Sequence, residues 1–552
     1  MAKAILSPPE LWQDFDDTLP LEPVVLQETL LGESRVQHVL FSGRDTGAGR
    51  PRIFALFAGP ADDEVRPAIL IVPDVGARID ETYVLSLVKQ GYRVLAVDYY
   101  GKRADAEHFT QYPDVIPYAN YEQRGTHADV VEDTVRETSW YEWTAAIRYG
   151  KSFLSARMDV ESDHVFLLGI RGGAEIGWQV VAFSEGLAGA ALISGAGWES
   201  YRNCFKYSDT TPEMNDERFS WIAGVEAQSY AQYAKCPVLF LGATNDGEFC
   251  FDRARDTLAR VNAEVPVYGD FTPNSTRGID KTGCDNILSF FDAICDHRLP
   301  EKRDLPVTVE VVNGCVYLYT DDAEGDISVW YSCATVDPVL RTWHKAVYDG
   351  NTEEGKRRYL VTLTDKEGVF LAYSRFKQNG LCVSSPQTSC FLQEQSVTVD
   401  ASASRIVYAE GKTELLVPAE KENPVAGFVM GSANRVVKKG GANKINGVTC
   451  GTGLRFFIGK RLPLDQDRIL MMNVFTQADL RFTVTFIYGF GREEVRYYQQ
   501  KTLSRMNGWQ KVCLECKSFK RENGMPFKEE IFPEAVVIEG DGEHLINNVL
   551  WI

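Results

Sequence analysis

The stretch HVFLLGIRGGAEIGWQVVAF, His164 to Phe183, decides the fold. An apolar, β-rich run enters the turn Gly169-Ile170-Arg171-Gly172-Gly173. A segment with apolar residues at helical spacing follows. Glycines on both sides of a strand-to-helix turn let the two elements approach closely. The residue at the tip of that turn is Arg171.

The same alternation continues on both sides. AILIVP (Ala68 to Pro73) and YRVLAVD (Tyr92 to Asp98) are strand-like. Between them ETYVLSLVKQG is a helix that stops at Gly91, a good residue just past a helix end. ETSWYEWTAAIRYGKSFLSAR (Glu137 to Arg157) is a second amphipathic helix. GAALISG, PVLFLGATND and VPVYGD are further strands, ARDTLARVNA a helix between them, and NILSFFDAICDHRL a closing helix. Strands alternating with helices of this length predict a parallel, doubly wound α/β sheet. The early runs VVLQETLL, RVQHVLF and RIFALFA predict antiparallel strands added to one edge.

After Pro300 the texture changes. PVTVEVVNGCVYLYT, DISVWYSCAT, RYLVTLT and VFLAYSRF alternate with turns, and no helix is expected. Residues 301–393 are expected to form a small, immunoglobulin-like β-sandwich. Residues 394–552 carry longer alternating strands, LRFTVTFIYGF and LINNVLWI among them, as in a jelly roll. Residues 1–300 form the α/β domain on this reading.

A chain of 552 residues fits two or three domains. Its formal net charge of −19 excludes a nucleic-acid-binding role, which needs a basic face. No run reaches the roughly 18 uncharged apolar residues that span a bilayer. The N-terminal stretch MAKAILSPPELWQDF lacks the continuous apolar segment of a signal peptide. A cytoplasmic protein with no membrane partner is the expectation. Twelve cysteines without framework spacing fit reduced thiols. The one C-x-x-C pair, Cys513 and Cys516, has no second pair or histidine nearby, so no metal and no cofactor is expected.

The segments PAILIVPDVGARIDETYVLSLVKQGYRVLAVDYYG, HVFLLGIRGGAEIGWQ and CPVLFLGATNDGEF resemble the α/β-hydrolase fold. Within that fold they resemble the dienelactone hydrolase and acetyl xylan esterase-like group. The resemblance implies a nucleophile on the elbow, then an acid, then a histidine, in chain order. It places the nucleophile position at Arg171 and the acid at Asp246, after PVLFLGATND. The histidine position, shortly after Pro273-Asn274, falls on Thr276 or Arg277. A guanidinium cannot attack a carbonyl, so the triad positions Arg171, Asp246 and Arg277 are degenerate and no catalytic residue is expected. His38, His164, His297, His344 and His544 lie away from the site, while His108 and His127 sit in a long segment after Asp98 that could fold over it. Thr276 or Ser275 of that loop is the alternative nucleophile, and neither has the elbow's geometry.

Two readings of Arg171 stand side by side. In one it neutralises Asp246, with Arg277 and Glu175 nearby. In the other Arg171 and Arg277 bind an anion at the N-terminus of the helix that begins at Gly172. The implied oxyanion-hole donors are the N–H groups of Gly172 and of Val75 or Gly76. Tyr99, Tyr100, Trp198 and Glu199 follow strands and are candidates to line the same cleft. The last region resembles jelly-roll carbohydrate-binding modules through GWQKVCLECKSFKRENG and EHLINNVLWI, with Tyr488, Phe490, Tyr497 and Tyr498 as candidate sugar-facing rings.

The functional expectation is a pseudo-esterase. It would bind a small-molecule or oligosaccharide ligand, anionic ones included, or a partner, without cleaving it. The alternatives are an active ester hydrolase acting on acylated oligosaccharides with a non-standard nucleophile, and a non-catalytic assembly scaffold.

Overall fold

The structure, a computed structural model, describes residues 5–552 except 105, 202–203, 276–277, 302–303, 324, 334–335, 364–365, 367, 401–405, 409–415, 419–435, 452, 458–463, 465–466 and 490–493. Nine strands form the first sheet: β1 (Val24–Leu31), β2 (Ser34–Ser42), β3 (Arg52–Pro60), β4 (Arg66–Val72), β5 (Arg93–Asp98), β6 (Val160–Ile170), β7 (Gly189–Ile193), β8 (Val238–Ala243) and β9 (Val267–Thr272). Their order is β1-β2-β3-β5-β4-β6-β7-β8-β9. The first three strands and the β3–β5 pair are antiparallel, and every pair from β5 to β9 is parallel. This is the doubly wound sheet with an antiparallel edge that the alternation predicts.

The strand sequences show why the sheet is covered on both faces. Strands β5, β7 and β8 are buried along their whole length, as parallel strands between helical layers must be. Along β4, Leu70 and Val72 pack with Trp143 and Ile147 of the helix Ser139–Ser155 and with Ile176 and Val180 of the helix Gly172–Phe183. Ile69 and Ile71 point the other way, into a core shared with Tyr83 and Leu87 of Glu81–Val88 and with Phe290 and Phe291 of Lys281–Cys295. The period of two in the strand divides one apolar run between two cores.

Three expectations are corrected. The helix expected over ARDTLARVNA spans Phe251–Leu258, because wholly buried Phe251 anchors its first turn. His164 does not begin its strand, which already starts at Val160. Two short helices, Asp216–Gly224 and Ala227–Tyr230, were not expected. The first is capped by Asn215, whose side chain accepts the Arg218 N–H.

The C-terminal region is rich in β-sheet. Strands Thr308–Val312, Cys315–Thr320, Val347–Asn351 and Arg357–Leu360 form one sheet, and strands between Ile327 and Phe391 form a second. A six-stranded and a five-stranded sheet follow, built around Ile469–Thr476, Leu480–Tyr488, Ala535–Gly540 and His544–Trp551. Residues Leu470, Val474, Val484, Phe486, Ile538 and Ile546 from both sheets share one core. Among the described residues, helical structure after Pro300 is confined to three-residue turns. The core of the first sheet runs without a break into the next region: Trp343, Leu371 and Tyr373 belong to the same apolar cluster as Phe251 and Phe271.

Candidate functional site

Strand β6 passes the chain to the helix Gly172–Phe183 through Arg171, whose backbone stands at φ 53° and ψ −114°. A side chain in this region is strained and persists only where its surroundings over-determine it. Here neighbouring glycines do so. A Cβ on Gly173 would sit inside contact distance of the Val72 and Pro73 carbonyl oxygens, and one on Gly169 would lie 2.7 Å from the Ala174 Cα. The Arg171 carbonyl accepts the N–H groups of Ala174 (2.8 Å) and Glu175 (3.1 Å), which starts the helix. The sharp strand-to-helix turn is therefore formed, with Arg171 at its tip.

The guanidinium of Arg171 is 1 % exposed and surrounded by acids. Nη1 donates to Asp246 Oδ2 at 2.9 Å, and Nη2 donates to Glu248. Nε lies 3.6 Å from Asp74 Oδ2, and the ring of Phe249 covers Cζ at 4.8 Å. Burial works against the charge, but Asp246, Glu248 and Asp74 outweigh it and hold the Arg171 pKa above the ordinary arginine value. Asp246, 2 % exposed, also accepts the N–H groups of Glu248 (2.9 Å) and Phe249 (3.1 Å) through Oδ1. The ion pair between Arg171 and Asp246 is the first of the two sequence readings. The anion-binding reading meets a guanidinium whose two terminal nitrogens are both bonded to the protein's own carboxylates.

Asp74 follows β4 and does what the sequence did not suggest. Its Oδ1 accepts the Val75 N–H at 2.9 Å and the Gly172 N–H at 3.1 Å. These are two of the N–H groups expected to form an oxyanion hole. Both N–H groups thus converge on one carboxylate oxygen of the chain itself. Gly76 turns at φ 76° under the Tyr121 ring, and its carbonyl accepts from Arg103 at 3.0 Å.

The loops that would carry the acid and the base are pinned by the β-rich region. Asn245 Nδ2 donates to the carbonyls of Arg341 (2.6 Å) and Val339 (3.2 Å). Asn274 exchanges two hydrogen bonds with the Trp343 backbone, at 2.9 and 2.8 Å. Arg341 grips Asp252 with both Nη atoms, at 2.7 and 2.6 Å, and neither side chain is exposed at all. Thus the segment Pro338 to Trp343 holds the β8 loop, the β9 loop and the intervening helix together. Thr276 and Arg277 lie outside the described residues. Ser275 is buried and donates to the Gly278 carbonyl at 2.5 Å.

The aromatic candidates fall elsewhere. Tyr99 and Tyr100 are 0 % and 1 % exposed, so neither ring is free to stack on a ligand. Their hydroxyls donate to the carbonyls of Pro73 (2.7 Å) and Asp74 (3.3 Å), so they buttress the turn after β4. Just before them, burial raises the Asp98 carboxyl to about 7. Trp198 is half-buried beneath the Arg260 guanidinium. Glu175 is buried in the helix's first turn, and nothing is described of the Glu199 side chain. His108 packs on His38 and Phe54, and His127 stacks on Tyr118, so both have settled partners away from Arg171. Cys516 is buried and Cys513 exposed, both as free thiols.

In the last region Tyr488 and Tyr497 are buried and pack with Phe527, which removes them as sugar-facing rings. Tyr498 is partly buried, its backbone paired with Lys520, and Phe490 lies outside the described residues. A different concave site is present. A cavity of about 460 Å³ is lined by Gly440, Gly441, Phe475, Gln477, Arg505 and Asn507. Phe475 packs against half-buried Trp509 at 5.7 Å between ring centres.

Residues 53–272 match the model of the Dienelactone hydrolase family. The N-terminal region has an α/β-hydrolase fold. Among solved structures, acetyl xylan esterase 1 from a Thermoanaerobacterium species is 13 % identical with a TM-score of 0.41, over 53 % of this chain and 95 % of that one. The acetyl xylan esterase of a Paenibacillus species is 12 % identical with a TM-score of 0.39, over 52 % and 92 %. The acylaminoacyl peptidase of Pyrococcus horikoshii is 16 % identical with a TM-score of 0.32, over 45 % and 38 %. Among curated proteins none matches the chain. Among the described residues no helix is long and apolar enough to cross a membrane.

Proposed function

We propose that the chain is a catalytically degenerate α/β-hydrolase, a pseudo-esterase that binds a ligand or partner without cleaving it. One observation carries this reading: Arg171 occupies the elbow while Asp74 takes both N–H groups of the oxyanion hole. Nucleophile and hole are each blocked by a side chain of the protein itself. Removing a triad's nucleophile or base costs roughly a millionfold in turnover, about 8 kcal/mol of transition-state stabilisation. What ordinarily survives is the oxyanion hole, and here that is occupied too.

The proposal extends to the modules. Residues 1–300 are the α/β-hydrolase domain, 301–393 an immunoglobulin-like sandwich and 394–552 a jelly roll of the carbohydrate-binding type, in a cytoplasmic protein. The paired sheets of the C-terminal region support the sandwiches. The cavity beside Phe475 and Trp509, rimmed by Gln477, Arg505 and Asn507, supports a sugar ligand, since aromatic faces with amide and guanidinium donors suit hydroxyl-rich rings.

The test is hydrolysis of p-nitrophenyl acetate by the full-length protein. The expected result is a rate equal to that of the heat-denatured control, in the native chain and in Arg171→Ser alike. Turnover above that control, abolished by a single substitution in the β8 or β9 loop, would instead establish an active esterase with an unorthodox nucleophile.

A further inference from the structure

The cavity beside Phe475 has a single charged residue in its wall, Arg505. The other polar side chains there are the amides of Gln477 and Asn507. The Arg505 guanidinium has no ion-pair or hydrogen-bond partner among the described residues; only its backbone N–H is bonded, to Asp479 Oδ1 at 2.9 Å. Another wall, Gly440 to Ala442, belongs to the hairpin of strands Val437–Gly440 and Asn446–Thr449. Trp509 fixes that hairpin. Its Nε1 donates to the Ala442 carbonyl at 3.2 Å. A Cβ on Gly441 or Gly447 would lie 2.7 or 2.6 Å from the same indole, so glycine alone lets the hairpin lie this close.

Charge around this cavity runs against that of the chain. The protein has 77 acidic residues and 58 basic ones. Residues 437–449, the hairpin, carry Lys438, Lys439 and Lys444 and no acid. Lys439 is paired with Glu543 at 2.5 Å, whereas Lys438 and Lys444 have no partner among the described residues. Residues 504–509 carry Arg505 and no acid. A sugar hydroxyl both donates and accepts, so a site shaped for neutral sugars needs strong acceptors as well as donors. This wall holds an unpaired cation and no carboxylate. The ligand that complements it brings the carboxylate itself.

Resting on the sugar-site reading of this cavity, we propose that its ligands are uronate-bearing oligosaccharides. A sugar ring lies on Phe475, and Arg505 pairs with a carboxylate of the same chain of sugars. Two parallel N–H groups of a guanidinium match the two coplanar oxygens of a carboxylate. The protein's net charge of −19 repels anions in general, so a preference for the acidic sugar reports on this site.

Calorimetry on the full-length protein compares trigalacturonate, its methyl ester, which has the same rings without the charge, and cellotriose. The native protein is expected to bind the acid at least tenfold more tightly than the ester at low salt. Arg505→Gln is expected to bind acid and ester alike, with the affinity the native protein shows for the ester. Arg505→Lys, which keeps the charge without the paired N–H groups, should lose at least threefold of the preference. Arg505 is exposed, so an unchanged melting temperature is expected in both variants. Equal binding of acid and ester by the native protein overturns the uronate ligand and leaves the sugar site standing. A preference undiminished in Arg505→Gln overturns the pairing with Arg505, and if that variant does not fold, an undiminished preference in Arg505→Lys overturns it. Failure of all three sugars to bind overturns the sugar-site reading and the uronate ligand together.

Discussion

Arg171 Nη1 and Asp246 Oδ2 stand 2.9 Å apart in a buried ion pair, with no imidazole between the elbow and the acid. In a working triad the acid orients a histidine; here Asp246 neutralises Arg171 at the tip of the turn. Asp246, Glu248 and Asp74 together surround one guanidinium, so the cluster depends on that single cation.

Arg171→Ala therefore leaves the buried Asp246 carboxylate facing Glu248 and Asp74 without a cation. Breaking a buried pair from one side costs about 3–5 kcal/mol. The deficit is expected at neutral pH and to shrink on acidification. Acid neutralises carboxylates that have lost their shared cation and so removes the repulsion the substitution leaves. Urea unfolding of the variant and the native protein at pH 7.5 and pH 4.5 measures this; a deficit independent of pH would contradict it.

Asp74→Ala makes the complementary prediction. It empties the position bonded by the Val75 and Gly172 N–H groups. Two converging N–H donors at the start of a helix favour an anion. Acetate at matched ionic strength should stabilise Asp74→Ala more than the native protein, by at least one degree in melting temperature. No esterase activity should accompany it, since Arg171 remains on the elbow.

Much of this was legible in the sequence, for physical reasons. The glycines around Arg171 have no use except in a close strand–helix turn, and the buried runs of β4 to β8 fit only a sheet covered on both faces. The acid could be placed because it ends a strand. Local pattern fails where a side chain's partner is distant in the chain. Nothing beside Asp74 shows that its oxygen folds back onto the Gly172 N–H, 98 residues away. Tyr99 and Tyr100 stand at a strand end, where exposure depends on what covers them; Tyr112 and Tyr121 do, and neither is adjacent in sequence. The hold of Pro338 to Trp343 on both triad loops is likewise a tertiary fact.

The pair Arg341–Asp252 measures that hold. Both residues are fully buried, and they bond at two points across the seam. Each single alanine substitution is expected to cost about 3–5 kcal/mol, because each strands a charge. The double substitution should cost much less than the sum, since no charge remains unpaired. A double-mutant cycle by denaturant unfolding gives the coupling directly; additive losses would mean that the pair does not join the two regions.

Phe475→Ala tests the cavity of the last region. The ring forms one wall and packs on Trp509. Loss of one stacking face is worth about 1 kcal/mol beyond its buried area. Xylo- or cello-oligosaccharides that stabilise the native protein should bind Phe475→Ala at least fivefold more weakly by calorimetry. Tyr498→Ala, outside the cavity, should bind as the native protein does.

Asp98 supplies a pH dependence of opposite sign to that of an ion-paired acid. Burial raises its folded pKa from 3.8 to about 7, against the N–H of Tyr100 and the charge of Arg103. Below about pH 4 the carboxyl is protonated folded and unfolded alike, and it has no effect on stability. Between pH 4 and 7 the unfolded chain releases a proton that the folded chain retains, so stability falls as pH rises. Above pH 7 both states are ionised, and the full penalty of about 4 kcal/mol is present. Asp98→Asn removes the ionisation while its side-chain oxygen still accepts the Tyr100 N–H. The variant should therefore match the native protein near pH 4 and gain on it steadily up to pH 7, with the gain constant from there to pH 8.5. Denaturant unfolding at half-unit intervals measures the curve. A gain that is flat from pH 4 to 8.5, or largest at the acid end, would show that Asp98 is ionised in the folded protein throughout.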